Sequence, residues 1–250
     1  MDSGAERFGE APSQSEWGNL RRSGAVAALV TAVLIPVQIA VLILYPPPST
    51  VEGWFSLFHG NPLLGLVDMD FLMIIDVVLL VPILLALFVT LRQSRPSGMA
   101  LWTGLGFVGV LAYFASNPAV QMLSLADKYA SAANPADQTA YLAAGQALLA
   151  NYTGTAFDVY YVLASVALIA ISAMMLRVPS FARVTVYTGI VGNFAALGLF
   201  LPTVGIALSV GSVFVLEIWY LSLARDLFRW GDARATAPSA SPVSAPHRTA

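Results

Sequence analysis

Residues 151–177, NYTGTAFDVYYVLASVALIAISAMMLR, form the longest apolar run in the chain, and from Ala156 onward the run is long enough to cross a bilayer as one helix. Its polar exceptions are regularly placed. Asn151, Asp158, Ser165 and Ser172 fall every seven residues, with Thr155 and Tyr161 three residues either side of Asp158, so a helix carries them on one side. A spanning helix turns such costly groups toward neighbouring helices or water and away from lipid. The run therefore reads as the central helix of a membrane bundle.

The rest of the chain agrees with that class. Hydrophobic residues make up 58% and charged residues 10%, against about 25% charged in an ordinary soluble domain. The natural unit is the spanning helix, and the expected fold is all-α: a polytopic bundle of six transmembrane helices at about 24–45, 70–91, 98–116, 153–176, 184–201 and 204–223. Residues 1–23 and 231–250 are polar or rich in Ala, Ser, Pro and Thr, and read as disordered. Pro36 and Pro82 lie inside the first two spans, where a kink or a borrowed hydrogen bond is expected. The third span carries Gly106, Gly109 and Ala112, and the fifth Thr185, Gly189, Gly192 and Ala196, rows of small residues that allow close helix approach.

Two connections have structure of their own. Ser49, Thr50, Val51 and Glu52 have capping-box spacing and open a short helix with Trp54, Leu57 and Phe58 on one face, expected to lie in the membrane interface. Residues 117–152 read as two amphipathic helices, one with a ridge of Met122, Leu125 and Tyr129, the other opening at Asn134-Pro135.

Threading follows from arginine. Arg7, Arg21 and Arg22 precede the first span, Arg92 and Arg95 join spans two and three, Arg177 and Arg183 join four and five, and Arg225, Arg229, Arg234 and Arg248 follow the sixth, while the other connections hold only Lys128. The expectation is a plasma-membrane (inner-membrane) protein with both termini cytoplasmic and the long loop outside. A faint repeat relates spans two and three to four and five: Leu91-Arg92 and Trp102-Thr103-Gly104 recur 85 residues later as Leu176-Arg177 and Tyr187-Thr188-Gly189. That register sets Asp76 and Asp158 at comparable heights.

Chemistry at membrane depth falls to a few polar side chains. Asp76 and Asp158 would each be costly unless neutral, paired or wet, which makes them a proton or cation site, or else leaves a single packing hydrogen bond from Asp158 to Tyr161, Tyr160 or a serine on another span, or simple exposure to headgroup water. Glu217 is expected to pair with Arg92, Arg177 or Arg225, and Asn193 to bond across to another helix. The chain has no cysteine and two histidines, His59 and His247, so disulfides, thiolate catalysis, a histidine metal cluster and a Ser-His-Asp relay are all excluded. No phosphate-cradling glycine loop and no basic nucleic-acid surface is present, no cofactor is implied, and an enzymatic role has little support.

The strings Ala115-Ser116-Asn117-Pro118, Met122-Leu123-Ser124-Leu125-Ala126-Asp127-Lys128-Tyr129-Ala130, Ala143-Ala144-Gly145-Gln146 and Tyr152-Thr153-Gly154-Thr155-Ala156-Phe157-Asp158 resemble those of uncharacterised bacterial multi-pass membrane proteins grouped as domains of unknown function. The resemblance implies a six-helix family with no assigned activity and carries over no ligand residue. Arg and Ala richness also points to a bacterium with a GC-rich genome. Two functions are then weighed. The first is a non-enzymatic bundle in the lipid bilayer acting through a membrane-protein partner or a second copy of the chain; the alternative is a small proton- or cation-coupled transporter or channel using intramembrane carboxylates. Asp76 and Asp158 facing each other across a cavity open to water would favour the alternative; facing lipid or plugged by packing, they favour the first.

Overall fold

The computed structural model describes residues 14–235, which form ten α-helices with no strand among them. Six helical stretches are long and apolar enough to cross a membrane: Trp17–Leu44, Pro62–Leu91, Pro96–Ala130, Pro135–Met175, Arg183–Phe200 and Gly205–Trp230. They are built on α1 (Gln14–Leu44), α4 (Leu72–Leu91), α5 (Pro96–Ser116), α8 (Thr155–Met175), α9 (Arg183–Ala196) and α10 (Gly205–Ala235), with α2 (Val51–Gly60), α3 (Pro62–Leu66), α6 (Ala119–Ala130) and α7 (Pro135–Tyr152) in the connections.

Each span packs chiefly on the next in the chain. α1 lies on α4, α4 on α5, α5 on α8, α8 on α9, α9 on α10, and α10 returns to α1, so the six form a closed ring in chain order. Close packing at the small-residue rows holds the ring together. A Cβ on Gly109 would stand 3.3 Å from the Ala164 nitrogen and the Tyr160 carbonyl oxygen of α8, and one on Gly189 would stand 2.3 Å from Ser172 Oγ and 2.5 Å from Trp219 Nε1. Backbones that near gain dispersion contact that larger residues would forbid.

Packing is uneven along the ring axis. In α1 the buried positions lie between Arg21 and Ala32, and none lies in 33–44; in α4 they begin at Val77, in α8 at Ala164 and in α10, Gly205 aside, at Ser212. In α5 and α9 buried positions recur along the whole length. The half of the bundle nearest the arginine-bearing connections is thus solid, filled by Ile83, Leu84, Leu87, Leu91, Met99, Ile171, Trp219, Leu223 and Leu227, and four helices stand apart in the half nearest the long loop.

The loop elements make a second, smaller core. Val51, Trp54, Phe55 and Phe58 of α2 are buried against Met69 and against Ala119, Met122 and Ala126 of α6, with Phe55 and Tyr129 rings 5.3 Å apart. The ring face of α2 is therefore inside a helical cap and not at the headgroups, because α6 presents a matching apolar ridge. Thr50, one residue later than the capping-box spacing predicts, is the N-cap, its hydroxyl accepting the Gly53 N–H at 3.1 Å. Asn134 caps α7 as expected, accepting the Asp137 N–H at 2.9 Å.

Helix boundaries differ at both ends of the chain. The first helix starts at Gln14, so part of the stretch 1–23 read as disordered is helical; the Arg92 guanidinium sits 4.2 Å from the centre of the Trp17 ring, a contact no single-run hydropathy could signal. The last helix runs on past 223 to Ala235, since Leu223, Ala224 and Leu227 remain in the core and Trp230 packs 5.6 Å from Phe181. The stretches 1–13 and 236–250 lie outside the described residues. The central run is also interrupted: α7 ends at Tyr152 and α8 begins at Thr155, the junction passing through Gly154, where a Cβ would meet the Ala150 carbonyl oxygen at 2.7 Å.

Candidate functional site

The four parted helices, with α9 behind them, enclose a cavity of about 360 Å³. α1 contributes Thr31, Ile35, Gln38 and Ile39; α4 contributes Met73, Asp76, Val77 and Leu80; α8 contributes Tyr160, Tyr161, Ser165 and Leu168. Asn193 and Ala196 of α9 and Ser212, Leu216 and Tyr220 of α10 close it, and Pro47 and Asp68 mark its edge at the loop end. Its walls carry three carboxylates, Asp68, Asp70 and Asp76, and no Lys, Arg or His.

Asp76 is the deepest of the three. One carboxylate oxygen accepts a hydrogen bond from the Gln38 amide, which ties span one to span two; the other, Oδ1, is buried and has no partner. Thr31 is 2% exposed, and its hydroxyl stands within reach to donate to the Asp76 carboxylate. A buried carboxylate with no cation to compensate it is a costly arrangement at membrane depth.

Directly above Asp76 the second span breaks. Met69 (φ −89°, ψ 39°) and Asp70 (φ 63°, ψ 28°) leave the helical region inside a π-helical turn, Val67–Phe71. Asp70 has the left-handed conformation that aspartate tolerates better than most residues. The freed carbonyls are satisfied from the third span and the residue that follows it: Tyr113 donates to the Asp70 carbonyl at 3.3 Å and the Asn117 amide to that of Met69 at 3.1 Å. The Tyr152 hydroxyl, at the end of α7, donates to the Asp70 carboxylate. Irregular backbone at this depth persists where protein covers it or where it borders a cavity, and Val67, Asp68, Asp70 and Leu72 all border this one.

Of the six side chains singled out in the sequence, Asp76, Tyr161, Ser165 and Asn193 meet in this cavity, and Asp158 and Glu217 do not border it. Asp158 is exposed in the first turn of α8, where a carboxylate suits the helix dipole. The seven-residue stripe fails to carry it inward because the fully buried positions of α8 begin only at Ala164, so Ser165 and Ser172 are buried while Asn151 and Asp158 are not. Tyr161 bonds not to Asp158 but to Ser209 of α10, oxygen to oxygen 2.9 Å. Asn193 donates at 2.8 Å to the Gly189 carbonyl of its own helix and makes no bond across to another. Glu217 has a buried oxygen without a partner and pairs with none of the three arginines expected for it. Arg225 lies eight residues on, about 12 Å along the helix, and its guanidinium is held by Asp226 at 2.9 Å; Arg92 is held over Trp17.

Gln38, Thr31 and Asp70 were missed. Gln38 carried a legible signal, as the one amide in the first span. Thr31 and Asp70 carried none, because their roles depend on which helices become neighbours and where one of them breaks. Among the described residues no three His, Asp or Glu side chains gather as a metal site would need. Comparison of the chain with protein-family models, curated proteins and solved structures gives no match.

Proposed function

We propose that this chain is a small membrane transporter in which Asp76 takes up a proton or another cation from the cavity. One observation carries the reading: Asp76 has a buried, unpartnered oxygen on the wall of a cavity that holds no basic side chain. Bundle interiors with a carboxylate exposed to an open space are where cations cross or wait. The arginine distribution supports a bacterial plasma membrane with both termini in the cytoplasm, which turns the loop end, and the wide end of the cavity, outward. Membership in the six-helix family it resembles belongs to the same proposal. This reading takes precedence over a bundle acting only through a partner protein, because the interior around Asp76 is hollow where that function called for packing; Asp158, offered alongside Asp76, drops out of it.

The test is flux. Purified protein in liposomes loaded with a pH-sensitive dye is expected to dissipate an imposed proton or sodium gradient, Asp76→Asn to cut the rate at least tenfold, and Asp158→Asn to leave it unchanged. No flux from the unaltered protein, or an undiminished rate in Asp76→Asn, overturns the reading.

A further inference from the structure

Resting on that reading, we propose that the cavity is built for an organic ammonium ion with an apolar body, its nitrogen held between Asp76 and Thr31. Size, charge, wall chemistry and unmet hydrogen bonding each bear on this independently.

A cavity of about 360 Å³ is at the scale of small-molecule sites and far larger than the roughly 10–15 Å³ that houses one water molecule. A proton needs no such room. A hard metal ion would need six or more oxygens around it, and near Asp76 only its own Oδ1 and the Thr31 hydroxyl are left without partners. Both atoms are buried; the carboxylate oxygen accepts, and the Thr31 hydroxyl, within reach of the carboxylate, can donate to it while its lone pairs accept. The Asp76 carboxylate is partnered only by the uncharged Gln38 and Thr31, which leaves its charge to be met by a cationic donor from elsewhere. An ammonium group supplies two or three N–H donors from one point and the positive charge that Asp76 lacks.

The remaining walls suit the rest of such a molecule. Ile35, Leu80, Leu168 and Leu216 are aliphatic, and Tyr160 and Tyr220 line the same cavity. Aromatic faces attract organic cations, more so where water is scarce. With carboxylates and no base in the lining, a carboxylate or phosphate ligand is repelled, which supplies specificity as well as affinity.

The test uses the full chain in detergent and three probes sharing one body: 2-(1-naphthyl)ethylammonium, 2-(1-naphthyl)ethanol and 3-(1-naphthyl)propanoate, titrated by calorimetry. The ammonium is expected to bind at least tenfold more tightly than the other two. Asp76→Asn should erase that preference, Thr31→Val should weaken ammonium binding about threefold, and Asp158→Asn should change nothing. Equal binding of all three probes by the unaltered chain, no binding of the ammonium, or a preference that survives Asp76→Asn overturns the proposal. The probe series on the unaltered chain decides the matter even where a variant fails to fold. Asp76-dependent flux without ammonium preference would sink this inference and spare the transporter reading; ammonium binding without flux would do the reverse.

Discussion

Asp226 is 3% exposed, yet its carboxylate is fully employed: it accepts the Ala182 N–H at 2.8 Å and the Thr185 hydroxyl at 2.6 Å, and it holds Arg225 at 2.9 Å. Ala182 is the N-cap of α9 and has no side chain able to cap it. Asp226 therefore does from the neighbouring helix what the N3 glutamate of a capping box does from within, accepting the N–H of the N-cap residue. Replacing it by alanine removes that cap and strands two donors, so Asp226→Ala is expected to cost about 2 kcal/mol, read as a lowered unfolding midpoint in detergent, with Asp226→Asn falling less. The sequence placed arginines at this end and offered Glu217 as their partner. The true partner was one residue from Arg225, and hydropathy alone could not tell an acid that caps another helix from one at a solvated end.

At the scale of the element, the break in the second span is set by two separable causes. The left-handed backbone of Asp70 costs a residue with a Cβ about 1 kcal/mol relative to glycine, and the Tyr152 hydrogen bond to its carboxylate holds α7 against the break. Asp70→Gly keeps the backbone and loses the bond; Asp70→Ala loses both. Expected stabilities then rank wild type, Asp70→Gly, Asp70→Ala, and in a double-mutant cycle with Tyr152→Phe the two losses overlap by about 1 kcal/mol; additive losses would mean that the bond contributes nothing. Six spans, the two loop helices and the Asn134 cap were all legible, because apolar runs and capping residues act locally. The break was not legible, since it is stabilised by Tyr113, Asn117 and Tyr152 from other helices. The aromatic face of α2 misled for a related reason: rings that suit an interface also suit a core, and only α6 decides between them.

For the whole molecule, the ring in chain order and the solid lower half follow from short connections and small-residue rows, both visible in the sequence. The parting of α1, α4, α8 and α10 is a property of the assembly and was not. It can be checked directly because the chain has no cysteine. Single cysteines at Gln38 and Met73, which border the cavity and are half-buried, are expected to react with a membrane-impermeant maleimide applied from the side of the long loop, and one at Thr90, buried in the solid half, to resist it from both sides. Labelling of the first two only from the opposite side would reverse the threading. A bundle clamped at one end and loose at the other acts as a set of cantilevers. Deflection grows with distance from the clamp, so a ligand seated as deep as Asp76 needs little force to draw in tips that stand some two helical turns above it. On the transporter reading proposed above, that lever arm is what would close over a cargo.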